Sequence, residues 1–334
     1  MLTWLDHLCR QAASLVDAKW HGGDPRKAYG FYLYRFLQNV QEKASAFEDI
    51  LDEAFHVAVA PFIRDFFPAG ATVSVGDGSQ FGRPLGLVLT RGTANLLSAA
   101  DSSNILDETW RAALGPGRVV YVDVPHGAIL LNIGREATDI VQLRAIFAAP
   151  FLPLDMPGHT LFIAQMTDRG SERGRGRIGG LLCPDGQISR FGSTKTGQSA
   201  VDWPLRPPFA HPLTEKIVLG RTGTFLRLVL AYHFFGPPEA REFIAATPTV
   251  KLRNGKPRNN ESLFAITRLH ESRAVGRPQN TIQSSWSLTN RQEVAGHFKL
   301  QPHGPQRSLR RLIWIDAYER GPEDAPVKPR AYVV

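Results

Sequence analysis

Residues of the types that bind partners lie close together near the C-terminus, in the stretch GHFKLQPHGPQRSLRRLIWIDAYERGPEDAP at 296–326. Within RRLIWIDAYER, Trp314 and Tyr318 alternate with Ile313 and Ile315, as side chains do along a β-strand. Aromatic rings and arginines on one sheet face suit stacking on nucleic-acid bases with contacts to phosphates. They equally suit a peptide groove, because Trp, Tyr and Arg are frequent anchors of protein interfaces.

A third interpretation of the same stretch is structural: both hairpin faces are apolar enough to be buried, with Trp314 in the core. The preceding strand places His297 and Lys299 on one face, and Phe298 and Leu300 on the other. All three interpretations remain open from the sequence. If the stretch binds a partner, we predict the contacting residues to be His297, Lys299, His303, Arg307, Arg310, Arg311, Trp314, Tyr318 and Arg320.

The charge is distributed unevenly along the 334 residues, whose net charge is +8. From Lys251 to the end there are 15 Lys and Arg against 7 Asp and Glu, whereas the first 250 residues hold 24 of each sign. A basic last quarter indicates an acidic partner such as RNA, DNA, a ribosome surface or an acidic protein face. Solubility combined with internal ion pairing is the alternative explanation.

Other chemical motifs are incomplete. GRGRIGG at 174–180 has glycines similar to those of a dinucleotide-binding loop, but it neither follows a clear strand nor opens a clear helix. There is no GxxxxGK[ST] and no HExxH, the ten histidines are scattered singly, and the two cysteines form no CxxC. We therefore expect no cofactor and no metal ion.

A dispersed catalytic site is a further alternative, because the members of a catalytic triad need not be close in sequence. Cys183 precedes a Pro-Asp-Gly turn, and Asp123 and His126 flank another turn. There is no GxSxG motif to mark a nucleophile. The sequence favours a protein without enzymatic activity, and a Cys/His/Asp constellation is the enzymatic alternative.

The N-terminal quarter is predicted to be helical. Apolar residues recur at helical spacing over residues 2–20 and again over 28–66, the second as one long helix or two collinear ones. A stretch rich in Gly and Pro follows and marks a boundary.

The rest of the chain is predicted to be mixed. Strand-like runs occur at 118–125 and 128–134, joined as a tight hairpin, and at 159–166. A short helix is predicted at 136–148, a charged loop at 168–177 and a second hairpin around Pro-Asp-Gly. Two helices at 214–235 and 238–246 and two strands at 293–301 and 309–318 complete the prediction.

The predicted fold class is α+β, with N-terminal helices, a central mostly antiparallel sheet, a helical pair and a closing C-terminal β-hairpin. Four regions follow: a helical region at 1–68, a mixed domain at 69–247, a polar basic connector at 248–285, and a basic hairpin region at 286–334 that packs on the central sheet. No apolar run reaches 18 residues, and the start does not resemble a secretory signal. We expect a cytoplasmic protein with no membrane partner; the oligomeric state stays undetermined.

The order of VVYVDVP, FLRLVLAYHFFGPPEAR and the C-terminal stretch resembles a widespread family of phage and plasmid proteins. The chain departs from the family pattern at Gln306, where Gly is common, at Phe298, where Trp is common, and at Asp316-Ala317. The matching residues are Gly296-His297-Phe298, Gly304-Pro305, Arg307-Ser308, Arg310, Arg311, Trp314, Tyr318 and Gly321-Pro322.

One member of this family is an anti-CRISPR inhibitor of the type V-A RNA-guided nuclease. The resemblance implies a binding protein rather than a catalyst. It implies action during biogenesis of the target, through recognition of the nascent nuclease, with a fall in message and protein levels. The basic C-terminal region is then expected near a nascent polypeptide, a message or a ribosome. A sequence-tolerant RNA- or DNA-binding protein of a phage or plasmid is the alternative.

Overall fold

The structure is a computed structural model, and the part of the chain that it describes comprises residues 3–42, 59–60, 62, 84–105, 107–114, 118–134, 139–150, 159–170, 174–190, 212–244, 265–271, 291–322 and 325–328. None of its described helices is both long enough and apolar enough to cross a membrane. The fold is α+β, as predicted from the sequence.

Three N-terminal helices open the fold: α1 (Thr3–Ala13), α2 (Ala18–His21) and α3 (Pro25–Glu42). Asp17 begins α2 by accepting a hydrogen bond from the backbone N–H of Lys19, and Gly22 ends it in the left-handed conformation, at φ 57°. The first predicted helix is therefore split in two. Most of the second predicted helix beyond residue 42 lies outside the described residues.

Nine strands form the central sheet among the residues that the structure describes. In spatial order, eight run β7-β6-β5-β4-β2-β1-β9-β8, and β3 also pairs with β4. Only the β1–β2 and β1–β9 pairs are parallel, so the described sheet is mostly antiparallel, as predicted. The strands are β1 (Leu85–Leu89), β2 (Val120–Asp123), β3 (Leu130–Asn132), β4 (Ile140–Pro150), β5 (Thr160–Asp168), β6 (Gly174–Leu182), β7 (Ile188–Arg190), β8 (Arg241–Ile244) and β9 (Ala265–Leu269).

Both faces of this sheet are covered, which explains why its strands are apolar on both sides. Tyr121, Phe147 and Ile163 face a core that they share with α1 and α3. Their sequence neighbours Val122 and Ile146 face a larger core on the opposite side. Three further helices cover that second face: α4 (Arg91–Ser98), α5 (Asp107–Leu114) and α6 (Pro212–Phe235).

The C-terminal part forms two small sheets. Strands β11 (His297–His303) and β12 (Leu309–Ile315) make an antiparallel hairpin, joined by a 3₁₀ turn over Pro305–Arg307. Strand β10 (Arg291–Val294) lies between β13 (Tyr318–Arg320) and β14 (Val327–Lys328) in a separate three-stranded sheet. The predicted closing hairpin is confirmed, although β12 ends before Tyr318.

Several local predictions are wrong. Residues 140–150 form β4 rather than a helix. The two strands predicted to pair as a hairpin do not pair with each other: β2 and β3 lie end to end along one edge of β4, whose other edge pairs with β5. Residues 174–177 belong to β6 rather than to a loop. The second helix of the predicted helical pair is a 3₁₀ turn followed by β8, because this segment pairs with β9. Strand β9 itself lies within the range predicted as a connector.

Candidate functional site

The base of the C-terminal hairpin is anchored in the main core. Phe298 lies opposite Trp314, and Leu300 lies opposite Leu312, so these four side chains share the inward face. The Trp314 ring meets Tyr232 of α6 edge-on at 5.2 Å and the Phe298 ring at 4.9 Å. This face therefore joins the hairpin to α6.

Two local features hold Trp314 in place. Its indole N–H donates a hydrogen bond of 2.7 Å to Asp316 Oδ1. A Cβ on Gly296 would lie 2.5 Å from the indole ring, so only glycine lets the backbone pass this close. Trp314 is 7% exposed. The prediction that it anchors a partner needs correction, because its ring is occupied by the core; the structural interpretation was the right one for this residue.

The tip of the hairpin, defined as residues 301–311, is exposed at every position. The hairpin from His297 to Ile315, called the arm below, thus has a buried base and a projecting two-stranded tip. The turn at the tip is conformationally unusual. Gly304 has φ 77°, and Gln306 and Arg307 follow with φ 52° and 56°.

Consecutive non-glycine residues in the left-handed region cost about 1–3 kcal/mol each. The φ of Gln306 lies in the region that glycine favours. One guanidinium nitrogen of Arg310 donates to the Arg307 carbonyl oxygen at 2.9 Å, which ties the turn to β12. Backbone strain of this kind occurs often at sites of function.

Every charged residue of the arm is basic. Its 19 residues carry Lys299, Arg307, Arg310 and Arg311 and no Asp or Glu. All four cations are exposed. Among the ion pairs found in the described ranges, none uses any of the four. The arm therefore presents uncompensated positive charge to solvent.

The two histidines of the arm differ. His303 is exposed at the tip. His297 is half-buried at the base, where its Nδ1 lies 2.9 Å from the Ala295 carbonyl oxygen. His297 and Lys299 lie on the outward face, opposite Ile315 and Ile313.

Tyr318 and Arg320 are exposed but belong to another element. Both lie on β13, where Tyr318 is opposite Val294 and Arg320 is opposite Gln292. An ion pair between Arg291 and Glu319 links β10 to this strand. The expected common strand face of Trp314 and Tyr318 is therefore wrong, because the chain leaves β12 at Ile315.

The structure adds residues to the predicted set. Gln301, Pro302 and Leu309 are exposed in the same tip, and Leu309 keeps 53% of its surface in solvent. The sequence signal that could have pointed to this region is the 22-residue run without a carboxylate, from Val294 to Ile315. The packing of the arm against α6 decides which residues of that run project into solvent. No local sequence pattern indicates this packing.

The Asp123, His126 and Cys183 constellation is not assembled. Across the strands, Asp123 is in register with Arg177, whereas Cys183 lies six residues further along, beyond the opposite end of β6. Strand β6 is also three strands away from β2, about 14 Å at the usual strand spacing. These three residues therefore do not form one catalytic site.

Each member of that constellation has other contacts. The Cys183 sulfur lies 3.5 Å from the Ser189 hydroxyl oxygen. Asp123 accepts hydrogen bonds from the Trp4 backbone N–H at 3.2 Å and from the Tyr121 hydroxyl at 3.1 Å. His126 Nε2 lies 3.2 Å from the side-chain nitrogen of Gln142.

The other cysteine, Cys9, is also buried, and its burial, reinforced by Asp6, raises the pKa of the thiol to about 12. The Cys9 thiol is thus poorly suited to act as a nucleophile.

One buried titratable group of α6 follows Tyr232 in the sequence. His233 follows Tyr232 in α6 and is 7% exposed. Burial, and then the positive charges of Arg241 and Arg118, lower the pKa of His233 to about 4. The imidazole is therefore neutral near pH 7.

Comparisons of the chain with protein-family models, with curated proteins and with solved structures found no match.

Proposed function

We propose that this protein is a non-enzymatic, anti-CRISPR-like accessory protein of a mobile element that uses the basic arm to bind a ribonucleoprotein of a host defence system and lowers its production. The observation that carries the proposal is the arm itself: a projecting hairpin with four exposed cations and no carboxylate. The link to host defence rests on the resemblance of the C-terminal stretch.

Two features favour RNA as the contacted part of that partner. A narrow two-stranded β-ribbon with exposed cations can follow the backbone of a single strand. Arginine side chains match phosphate geometry with paired N–H donors, and Arg307, Arg310 and Arg311 all project from the tip. With Trp314 buried, contact to phosphates carries more of the interaction than stacking on bases.

The second candidate partner is the nascent polypeptide itself. Leu309 at the tip and Tyr318 beside the arm are 53% and 45% exposed, and they offer apolar and aromatic anchors to an acidic peptide. A sequence-tolerant RNA- or DNA-binding protein, with no defence system as target, is the simpler form of the first candidate.

Salt dependence separates the candidates. We expect the purified protein to bind a fluorescein-labelled single-stranded RNA, measured by anisotropy between 50 and 300 mM salt. If three or four phosphates are neutralised, the slope of log K against log salt is about −2 to −3. A slope near zero, or no binding, contradicts RNA binding by the arm. A labelled acidic peptide that binds with a shallow slope would instead favour the nascent polypeptide.

The target is identified separately. The tagged protein is recovered from cells that express a type V-A nuclease, with and without RNase treatment, and the nuclease and its message are quantified. Recovery of the nuclease message that is lost on RNase treatment supports the ribonucleoprotein. RNA recovered without enrichment of this message supports a sequence-tolerant binder.

A further inference from the structure

A cavity of about 760 Å³ lies outside the arm, between the C-terminal end of α4, strand β3 and the first half of α6. Its size falls within the range of small-molecule sites, about 300–1,000 Å³. Its inner wall is apolar and is built by Leu97, Ile129, Leu131, Leu143, Phe225 and Leu228. Such a wall can remove a hydrocarbon chain from water.

The charged residues that line the cavity are all positive. Lys216 and Arg221 line it from α6, and both are exposed to solvent. None of its lining residues is Asp or Glu. The opening therefore favours an anion, and an apolar wall combined with a cationic rim matches a molecule that carries both properties.

Thr222 supplies an independent observation. It lines the cavity and is 1% exposed, yet its hydroxyl has no hydrogen-bond partner within the described residues. Leaving a buried hydroxyl unsatisfied costs about 1–3 kcal/mol. A ligand oxygen within reach of Thr222 would remove that cost.

Gly220 borders free space at the cavity. It lies within α6 and lines the cavity, and a Cβ at this position would meet no atom within 4 Å. Glycine inside a helix costs about 0.5–1 kcal/mol relative to alanine. No close packing or positive φ requires glycine here.

We propose that this cavity binds an amphiphilic carboxylate, meaning a hydrocarbon chain with one anionic head. Lys216 and Arg221 contact the head, the Thr222 hydroxyl donates to one of its oxygens, and the leucine-rich wall holds the chain. The site is independent of the arm, so its success or failure says nothing about RNA binding.

The test is a calorimetric titration of the full chain with dodecanoate below its micelle concentration, and with dodecanol as the uncharged match. Saturable binding of one dodecanoate, tighter than dodecanol, is the expected result. No binding overturns the proposal. Equal binding of the two probes overturns the assignment of an anionic head.

Variants locate the site. Gly220→Leu fills the cavity and should weaken dodecanoate binding by about tenfold or more, whereas Gly220→Ala adds one methyl group and should retain it. Lys216→Gln with Arg221→Gln should weaken dodecanoate by about fivefold and leave dodecanol unchanged. Urea unfolding of each variant checks the fold. If Gly220→Leu does not fold, the charge variant decides; unchanged dodecanoate binding there overturns the proposal.

Discussion

In the central sheet, Asp123, Gln142 and Arg144 are each no more than 3% exposed, and each is bonded to another part of the protein. In the tip of the arm, Arg307, Arg310 and Arg311 are exposed and form no ion pair within the described residues. The polar groups of the sheet thus stabilise the fold, whereas the charged groups of the tip remain accessible to a partner.

The same division runs through the arm itself. Its base contributes Phe298, Leu312 and Trp314 to the core, whereas its tip contributes nothing to burial. Changes at the base should therefore act on stability, and changes at the tip should act on binding. The predictions below are arranged from the largest expected change in free energy to the smallest.

Replacing Trp314 should have the largest effect. Trp314→Ala removes contacts with Tyr232 and Phe298 and leaves a cavity, so we expect the free energy of unfolding to fall by about 3–5 kcal/mol. Urea denaturation followed by circular dichroism measures the change. Trp314→Phe, which keeps an aromatic ring, is the matched control and should lose less. A loss below 1 kcal/mol for Trp314→Ala would contradict the anchoring role of the base.

Acidification should destabilise the protein through His233. Its folded-state pKa of about 4 lies below the usual 6.5, so the neutral imidazole is favoured by folding. This contribution is complete above pH 6.5 and is lost as the pH falls towards 4, where the unfolded chain binds a proton that the native state does not. The full loss is about 3 kcal/mol.

The measurement for His233 is urea unfolding at several pH values between 7.5 and 4. His233→Gln should reduce the difference in stability between pH 7 and pH 4, because the variant has no proton to bind at this position. The contribution of all other groups is common to both proteins. Parallel pH profiles for the two proteins would show that His233 is not buried in the neutral form.

Replacing Asp123 tests whether the buried polar groups of the central sheet stabilise the fold. Asp123→Asn keeps the shape but replaces a charged acceptor for the Tyr121 hydroxyl and the Trp4 N–H with a neutral one. Hydrogen bonds to charged groups contribute about 1 kcal/mol more than neutral ones, so we expect a loss of about 2 kcal/mol from two bonds. Chemical denaturation measures it, with Asp17→Asn on the exposed turn before α2 as the control. Equal losses for the two variants would contradict the assignment of Asp123 to structure.

Removing charge from the tip should barely change stability. Arg310→Ala with Arg311→Ala deletes two exposed side chains, and surface substitutions of this kind usually stay within about 0.5 kcal/mol. Thermal unfolding provides the check. A loss above 2 kcal/mol would place these arginines with the structural charges of the sheet instead.

The elements that the sequence predicts well are those with a clear local signal. Helix α6 is a long apolar segment, and the hairpin of β6 and β7 is marked by Pro-Asp-Gly. The sequence favours a helix where β4 forms, because Ile140, Leu143 and Ile146 recur at helical spacing. Both faces of β4 are buried, so its pattern has no period of two to recognise.

Long-range pairing explains most of the other differences. The segment at 238–246 contains good helix formers, but pairing of β8 with β9 overrides that preference. The basic C-terminal stretch is evident from the sequence, but the division between its buried base and its exposed tip is not. Trp314 alternates with isoleucines, so either face of the strand could be the buried one. Contact with Tyr232 of α6, 82 positions earlier in the chain, decides it.

The most direct test of the central claim is charge reversal at the tip. RNA binding of Arg310→Glu with Arg311→Glu is compared by anisotropy with wild type and with a control, Arg10→Glu with Lys27→Glu, which makes the same change in net charge at exposed positions of α1 and α3. Our account predicts that binding is abolished only by the tip variant, with both variants folded. Equal binding by the tip variant and the control would contradict a partner-binding role for the arm.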